Sequence, residues 1–403
     1  MLPRRRHELP PTAGLPAHWR DLLPGRTTLA PAIADQLDVP LPVVTCSGSA
    51  ALMIALATLH QRQPLRRRVV IPAYTCPLVP LAIHQAGLEP VPCDVRRGHF
   101  DLDPHALRAA CDERTLAIVP THLGGRIADV DDALAAANNV GAVVIEDAAQ
   151  ALGARRRGES VGCAGDLGFF SLAVGKGLTT YEGGLLVTRS EDLRQRLART
   201  AAQLAPFNAG WELRRGLELV GYTALYRPHG LRLAYGNPLR RALRAGDPVR
   251  AVGDDFALPL PLHTLGHWRQ SVGGHAASRL PAFLTDCTAR AHRYLPLLRA
   301  IPGVSVLEDA EGDTGTWPFF TLLLPGPQAR NRALDELWTA GLGVSRLFIH
   351  ALPDYPYLAG IVPQADTPNA RDFAARSLTI GNSPWLADAD MKAIMQVLEK
   401  AGV

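Results

Sequence analysis

Lys176 is the residue that invites a chemical reading first. The chain has 42 Lys and Arg residues, and only three of them are lysines: Lys176, Lys392 and Lys400. Where a generic positive charge serves, this sequence uses arginine. A lysine amine can lose its proton and condense with a carbonyl, whereas a guanidinium stays charged. Lys176 stands between Gly175 and Gly177, which leave room for another group to approach the backbone. Asp147 follows the apolar run Ala142-Val-Val-Ile145, where a carboxylate is costly unless it finds a partner. Ser47-Gly48-Ser49 follows another apolar run and precedes the helix-forming stretch Ala50–Leu59. A strand, a tight turn and a helix start make a cup for an anion, because free N–H groups and the helix dipole point at one spot.

These groups need elements that deliver them to one place. From Arg68 to Ile145, apolar runs of about four to six residues alternate with helical segments. The expected strands are Val69–Pro72, Pro90–Val95, Leu116–Pro120 and Ala142–Ile145. The expected helices are Pro77–Gln85, Pro104–Cys111 and Val130–Asn138. Such βα units imply an α/β fold with a mainly parallel sheet covered on both faces. Ligands collect at the carboxyl ends of its strands, where Ser47–Ser49, Ala73–Cys76, Thr121–Gly124 and Glu146–Gln150 all fall. Phe169–Leu172 and Gly184–Val187 are expected to form a hairpin-like excursion carrying Lys176. Glu191–Leu204 should be a helix capped by Ser190.

An anion cup, an aspartate and a lysine are the groups that pyridoxal 5′-phosphate requires: one for its phosphate, one for the ring nitrogen and one for its aldehyde. Gly48, Ser49 and Ala50 are the cup candidates.

Composition excludes several other classes. A net charge of +4 over 403 residues gives no reason to expect nucleic acid. No apolar run of about 18 residues predicts a membrane span. Arg4-Arg5-Arg6 is followed by His7, Pro10 and Pro11 rather than an apolar segment, so no signal peptide is expected. The six cysteines show no metal-ligand spacing, so no metal site is expected. They read as free thiols of a cytoplasmic protein.

Two domains are expected: residues 1–265 around the large sheet, and a smaller α+β domain over 266–403. Within the first, 1–40 reads as an extended arm and 205–262 as a basic insertion. From Trp211 to Arg250 it carries eight arginines against Glu212, Glu218 and Asp247. A peripheral membrane contact through residues 211–250 is one reading of that charge. In the second domain, Trp268–Leu298 and Asp388–Ala401 should be helical, and Pro302–Leu307, Trp317–Leu324 and Gly343–Phe348 strands.

The run Glu146-Asp-Ala-Ala-Gln150, Gly162-Cys-Ala-Gly-Asp166, Phe170-Ser171, Lys176 and Thr179-Thr-Tyr-Glu-Gly-Gly184 resembles the DegT/DnrJ/EryC1/StrS family of pyridoxal-phosphate-dependent aminotransferases. Gly48–Leu52, Ile71–Thr75, Ala86-Gly87 and His122–Gly124 agree with it in order, and the resemblance covers about 43–204. It implies the aspartate-aminotransferase-like, type I fold and a homodimer. The resemblance also implies glutamate as the amino donor and a nucleotide-linked keto sugar as the acceptor.

It also implies roles. Lys176 is the Schiff-base lysine and proton shuttle, and Asp147 the partner of the ring nitrogen. Gln150 lies near the ring's phenolic oxygen. Ser171, with the Ser49 and Ala50 turn, holds the phosphate. Lysine at 176 argues against the family's dehydratase branch, which has histidine there. Cys76 stands where the family has a ring-stacking aromatic, which leaves Tyr74 or His122 to stack. His122, Arg346 and Glu182 are the substrate-side candidates. The family's Gly-Tyr-Asn-Tyr-Arg segment is not recognisable in the region of the insertion. Two other readings stay open: a pyridoxal-phosphate enzyme on a non-nucleotide keto compound, or a lyase; and a non-catalytic regulatory or membrane-associated protein of this fold.

Overall fold

The apolar runs between positions 43 and 187 become the strands of one sheet. The computed structural model describes residues 7–402, so Arg4, Arg5 and Arg6 lie outside the described residues. The strands are β1 (Val43–Thr45), β2 (Arg68–Pro72), β3 (Glu89–Cys93), β4 (Thr115–Ile118), β5 (Val143–Asp147), β6 (Leu167–Ser171) and β7 (Gly184–Val187). Their spatial order is β1-β7-β6-β5-β4-β2-β3. The pairs from β3 through β6 are parallel. β7 is antiparallel to both β6 and β1.

Side chains alternate between two cores, as a doubly covered sheet demands. Val69 and Ile71 pack with Leu52 and Leu56 of the helix Gly48–Arg62. Val70, Ile118 and Val144 pack on the other face with Leu107 and Ala133. The antiparallel return from β6 to β7 is the hairpin-like excursion expected for Lys176. The helix Glu191–Leu204 follows, with the Ser190 hydroxyl accepting from the Leu193 N–H.

A second, antiparallel sheet has β8 (Ser305–Val306), β9 (Phe319–Leu323), β10 (Val344–Ser345) and β11 (Ser377–Gly381), in the order β8-β9-β11-β10. The helices Pro327–Leu337 and Asp388–Gly402 share a core with it.

Several expectations need correction. The arm is not extended throughout: Leu29–Leu37 is a helix with Leu29, Ile33 and Leu37 buried. The insertion is largely helical, with Ala209–Leu225 its longest helix. The expected helix Trp268–Leu298 is two, His267–Ala277 and Leu280–Arg299, parted at Ser278-Arg279 with Pro281 next in line. His267–Ala277 places Ala276 and Ala277 in the same core cluster as Phe170 and Leu185 of the large sheet. Gly343–Phe348 contributes only two residues to a strand, and β11, a central strand of the second sheet, was not expected from the pattern. Among the described residues, no helix is long and apolar enough to cross a membrane.

The first residues do positional work. The Leu9 N–H donates to Gly341 O at 2.9 Å and the Ala13 N–H to Pro318 O at 2.7 Å, both beside the second sheet. Two residues on, the Leu15 N–H donates to Gly177 O at 2.9 Å. The segment 9–15 therefore ties the Lys176 turn to the C-terminal sheet.

Candidate active site

The ends of β2, β5 and β6, the residues after β1 and β4, and the Lys176 turn enclose one cavity. Gly48, Ser49, Cys76, Asp147, Gln150, Ser171 and Lys176 all line it. Five strand ends and one return loop meet because parallel strands present their carboxyl ends on one edge.

The cup is built by capping. Ser47 Oγ accepts from the Ala50 N–H at 3.0 Å, and Ser47 O accepts from the Ala51 N–H at 2.9 Å. The N–H groups of Gly48 and Ser49 precede the first intrahelical bond and have no partner within the helix. Ala50 therefore differs from expectation, since its N–H is occupied by the cap. A Cβ at Gly48 would lie 3.1 Å from Ser171 Cβ, so the close approach of helix and β6 leaves little room for a side chain there. Ser171 Oγ accepts weakly from the Ala173 N–H, at 3.3 Å, and keeps its own proton to donate.

Asp147 is 4% exposed. One of its oxygens accepts from the Ala149 N–H at 3.0 Å, and no ion pair holds it among the described residues. Burial pushes its carboxyl above the ordinary value, and the Ala149 N–H and the Lys176 charge oppose this only in part. Burial likewise pushes the Lys176 amine down, against the opposing influence of Cys76 and Asp147. The turn is held by Thr12, whose hydroxyl donates to Gly175 O at 2.5 Å. Gly175 has φ 81°, a conformation that penalises any side chain.

Gln150 is oriented by the Gly124 N–H, which donates to its Oε1 at 2.8 Å. That fixes the amide so that its NH2 group remains to donate. Cys76 faces the cavity, and burial pushes its thiol up to about 12, so it stays neutral. Two aromatics line this cavity, Phe169 of β6 and Phe348, which reaches it from the segment after β10.

The remaining expected residues are elsewhere. The Tyr74 ring packs on Phe348 and Phe373, with centroids 5.5 and 4.8 Å away, in a separate core cluster and not on the cavity wall. His122 is fully buried. Its Nδ1 accepts from the Ala128 N–H at 3.0 Å, so Nε2 carries the proton and donates to Glu146 Oε2 at 2.9 Å. Neither ring nitrogen is left for a ligand, and neither Tyr74 nor His122 can stack in the cavity. Arg346 donates to Ile349 O and Ala374 O and faces a different cavity. Glu182 accepts from Arg215 Nε and Trp211 Nε1, both at 2.9 Å, with His263 Nε2 3.3 Å away. It anchors the insertion beneath the Lys176 loop.

The cavity opens into a second one that shares Cys76, Gln150, Lys176 and Phe348 and adds Thr12 and Asp254. Sequence reasoning missed Phe348, Thr12 and Asp254. Nothing in their local spacing marks them, because each reaches the site through a long-range contact.

A family model described as the DegT/DnrJ/EryC1/StrS aminotransferase family matches residues 15–210, which hold Lys176, Asp147 and the cup. Residues 15–210 of the chain belong to this family. It is 35% identical over 191 residues to an L-glutamine:2-deoxy-scyllo-inosose aminotransferase of Streptomyces fradiae, a match spanning 47% of this chain and 45% of that protein. It is 28% identical over 346 residues to a dTDP-3-amino-3,4,6-trideoxy-alpha-D-glucose transaminase of Streptomyces venezuelae, spanning 84% of this chain and 77% of the other. The crystal structure of DesI with its TDP-sugar product superposes with a TM-score of 0.74 at 21% identity, covering 99% of this chain and 95% of that one.

Pyridoxal phosphate is the cofactor of this family, and the donor set fits it. The buried Asp147 carboxylate lacks a cation, the Gly48 and Ser49 N–H groups lack helical partners, and the Lys176 amine lines the same cavity.

Asp254 gives this family member a pH signature. Its carboxylate accepts from Tyr355 Oη at 2.7 Å and from the Ile349 N–H at 3.1 Å. Burial nonetheless pushes it from 3.8 to about 6. Between those values the folded chain keeps a proton that the unfolded chain has lost, so stability falls as pH rises through the window and is level above it. About two pH units correspond to about 3 kcal/mol as an upper bound. Asp254→Asn should therefore gain stability over the parent as pH rises from about 4 to 6 and hold the gain above. Urea midpoints measured across that range check this, and a gap independent of pH would contradict it.

Proposed function

We propose that the protein is a pyridoxal-phosphate-dependent aminotransferase that takes an amino group from glutamate or glutamine. It passes the group to the ketone of a sugar, most simply one linked to a nucleotide. The observation that carries this is the joint placement of Lys176, Asp147 and the Gly48–Ser49 cup on one cavity wall. When bound, the cofactor supplies an electron sink for the carbon that carries the amine.

The residues do the rest. The Gly48 and Ser49 N–H groups and the Ser171 hydroxyl hold the phosphate. Asp147 accepts from the ring nitrogen and keeps a proton on it, which offsets the cost of its own burial. Gln150 donates its NH2 toward the ring oxygen. Phe348, with Leu123 and Leu78, excludes water and presents an aromatic surface in place of the one missing at Cys76. Lys176 moves the proton, and burial, by lowering its basicity, favours the neutral amine that can accept one.

The relatives support the acceptor class. One is named for a dTDP-linked aminodeoxy sugar and the other for a cyclitol, 2-deoxy-scyllo-inosose. The second keeps a non-nucleotide keto compound as the alternative. A homodimer and a cytoplasmic location complete the proposal. Leu213 and Leu217, 67% and 65% exposed on one helix face, support the first, and six free thiols the second. Arg214, Arg215 and Arg240 of the insertion are already ion-paired with Glu218, Glu182 and Glu8, which leaves less charge for a membrane surface.

The test is the half-reaction. Holoenzyme given glutamate or glutamine without an acceptor should release one equivalent of the matching 2-oxo acid per active site and then stop. Addition of a dTDP-linked keto sugar or of 2-deoxy-scyllo-inosose should restart it, and the one that does so names the class. If neither donor yields any 2-oxo acid, transamination is wrong.

A further inference from the structure

Away from the catalytic cavity, the C-terminal domain holds another cavity of about 330 Å³. It lies between the helix Pro327–Leu337 and Leu243 of the insertion helix Asn237–Arg244. Two arginines line it. Arg330 is 6% exposed and stands in the first turn of its helix, where the N-terminal end of the dipole already disfavours a cation. Arg346 is directed there from the segment after β10.

Neither guanidinium is in an ion pair with a carboxylate among the described residues. Arg346 donates only to the carbonyls of Ile349 and Ala374. Buried donors are left over: Nε and Nη1 of Arg330, Nε of Arg346 and the indole Nε1 of Trp338. Burial, and then the like charge of Arg346, lowers the Arg330 pKa to about 10. Ordered water could meet the hydrogen bonds but not the charge: Asp254 offsets Arg346 in part, whereas burial and Arg346 both act against Arg330 and no carboxylate pairs with it among the described residues.

We propose that this cavity binds a small phosphate-bearing anion between Arg330 and Arg346, with Trp338 donating a further hydrogen bond. Three donors on two cations, with a fourth on the Trp338 indole, match the several acceptor oxygens and double charge of a phosphate better than they match chloride or a single carboxylate. Asp335, exposed on the cavity wall, would repel an anion at the rim, so the ligand sits at the inner end between the guanidinium groups. The site also gives the insertion a structural part, since Leu243 closes one side of it.

Holoenzyme is the material for the test, because its catalytic phosphate cup is already filled. Calorimetric titration with inorganic phosphate at constant ionic strength should show one further site per chain. Glucose 1-phosphate in a parallel titration decides whether a free anion or a phosphomonoester is preferred. Arg330→Gln should weaken binding by about tenfold or more, and Trp338→Phe by a smaller factor. Retention of the cofactor's visible absorbance shows that each variant is folded. If Arg330→Gln fails that check, Trp338→Phe alone decides. The proposal falls if the parent binds neither probe, or if the folded variants bind as the parent does.

Discussion

Replacing Lys176 by alanine should abolish the visible absorbance of the cofactor-loaded protein and reduce turnover by roughly ten-thousand-fold or more. Proton transfer by a positioned group is alone worth about a hundred- to ten-thousand-fold, and the covalent hold on the cofactor is lost as well. Lys176→Arg should be as inactive. It keeps the charge, but a guanidinium cannot give up its proton or form the covalent link. That pair of variants separates a reactive amine from a merely electrostatic one. Neither change should unfold the protein. The amine is buried, has no ion-pair partner and is driven toward its neutral form by its surroundings, so alanine removes an unfavourable group. An unchanged or raised melting temperature alongside lost activity is therefore expected of Lys176→Ala. Turnover in either variant above a few per cent of the parent would show that another group moves the proton.

The second large effect concerns Glu146, next to Asp147 but opposite to it in kind. Glu146 is fully buried and accepts four hydrogen bonds: from the N–H groups of Gly162, Ala164 and Gly165 at 2.9, 2.7 and 2.7 Å, and from His122 Nε2 at 2.9 Å. Burial alone would raise its pKa, but His122 and the backbone donors outweigh it and hold the carboxyl below 4.5. Glu146→Gln puts an NH2 group where only acceptors fit, and the cost should be about 3–5 kcal/mol, that of breaking a buried charged network. The sign with pH follows from the lowered value. The carboxylate's contribution is fully present above 4.5 and lost as pH falls through the folded value, so the parent should lose its advantage in acid while the variant shows no such loss. Denaturant unfolding at neutral and acidic pH measures both quantities. A variant within about 1 kcal/mol of the parent at neutral pH would mean that the loop 162–165 is held by something else.

Glu146 and Asp147 show how far residue order can be read. Both sit at the end of one apolar run, and alternation sends them to opposite faces of β5. Asp147 enters the cavity, and Glu146 turns into the protein to clamp a loop. The spacing could identify a cofactor carboxylate there without revealing that its neighbour makes the surrounding backbone stand. His122 shows the same division. As a residue at a strand end it qualified for the site, and only the partners of its two nitrogens remove it.

The large sheet was legible almost strand by strand, because a parallel sheet covered on both faces leaves short continuous apolar runs separated by helices. β11 was not, since Ser377–Gly381 is brief and its pairing with β9 spans more than fifty positions of chain. The insertion 205–262 was opaque for another reason. Its arginines suggested a basic surface, and what tempers that charge lies far away in sequence: Glu182 for Arg215, and Glu8 for Arg240.

The sequence by itself determined the cofactor chemistry of this protein. The lysine, the aspartate and the capped helix start proposed to hold the cofactor are each local features of a strand end or a turn, and local features survive in spacing. Only the tertiary structure decided what surrounds them. Phe348 shares the cavity wall with Cys76, Thr12 steadies the lysine turn, Asp254 lines the adjoining cavity, and Arg330 and Arg346 line one cavity with no ion pair to an acid among the described residues. Each of those contacts joins segments far apart in the chain, and no periodicity within a segment records which distant segment will pack against it.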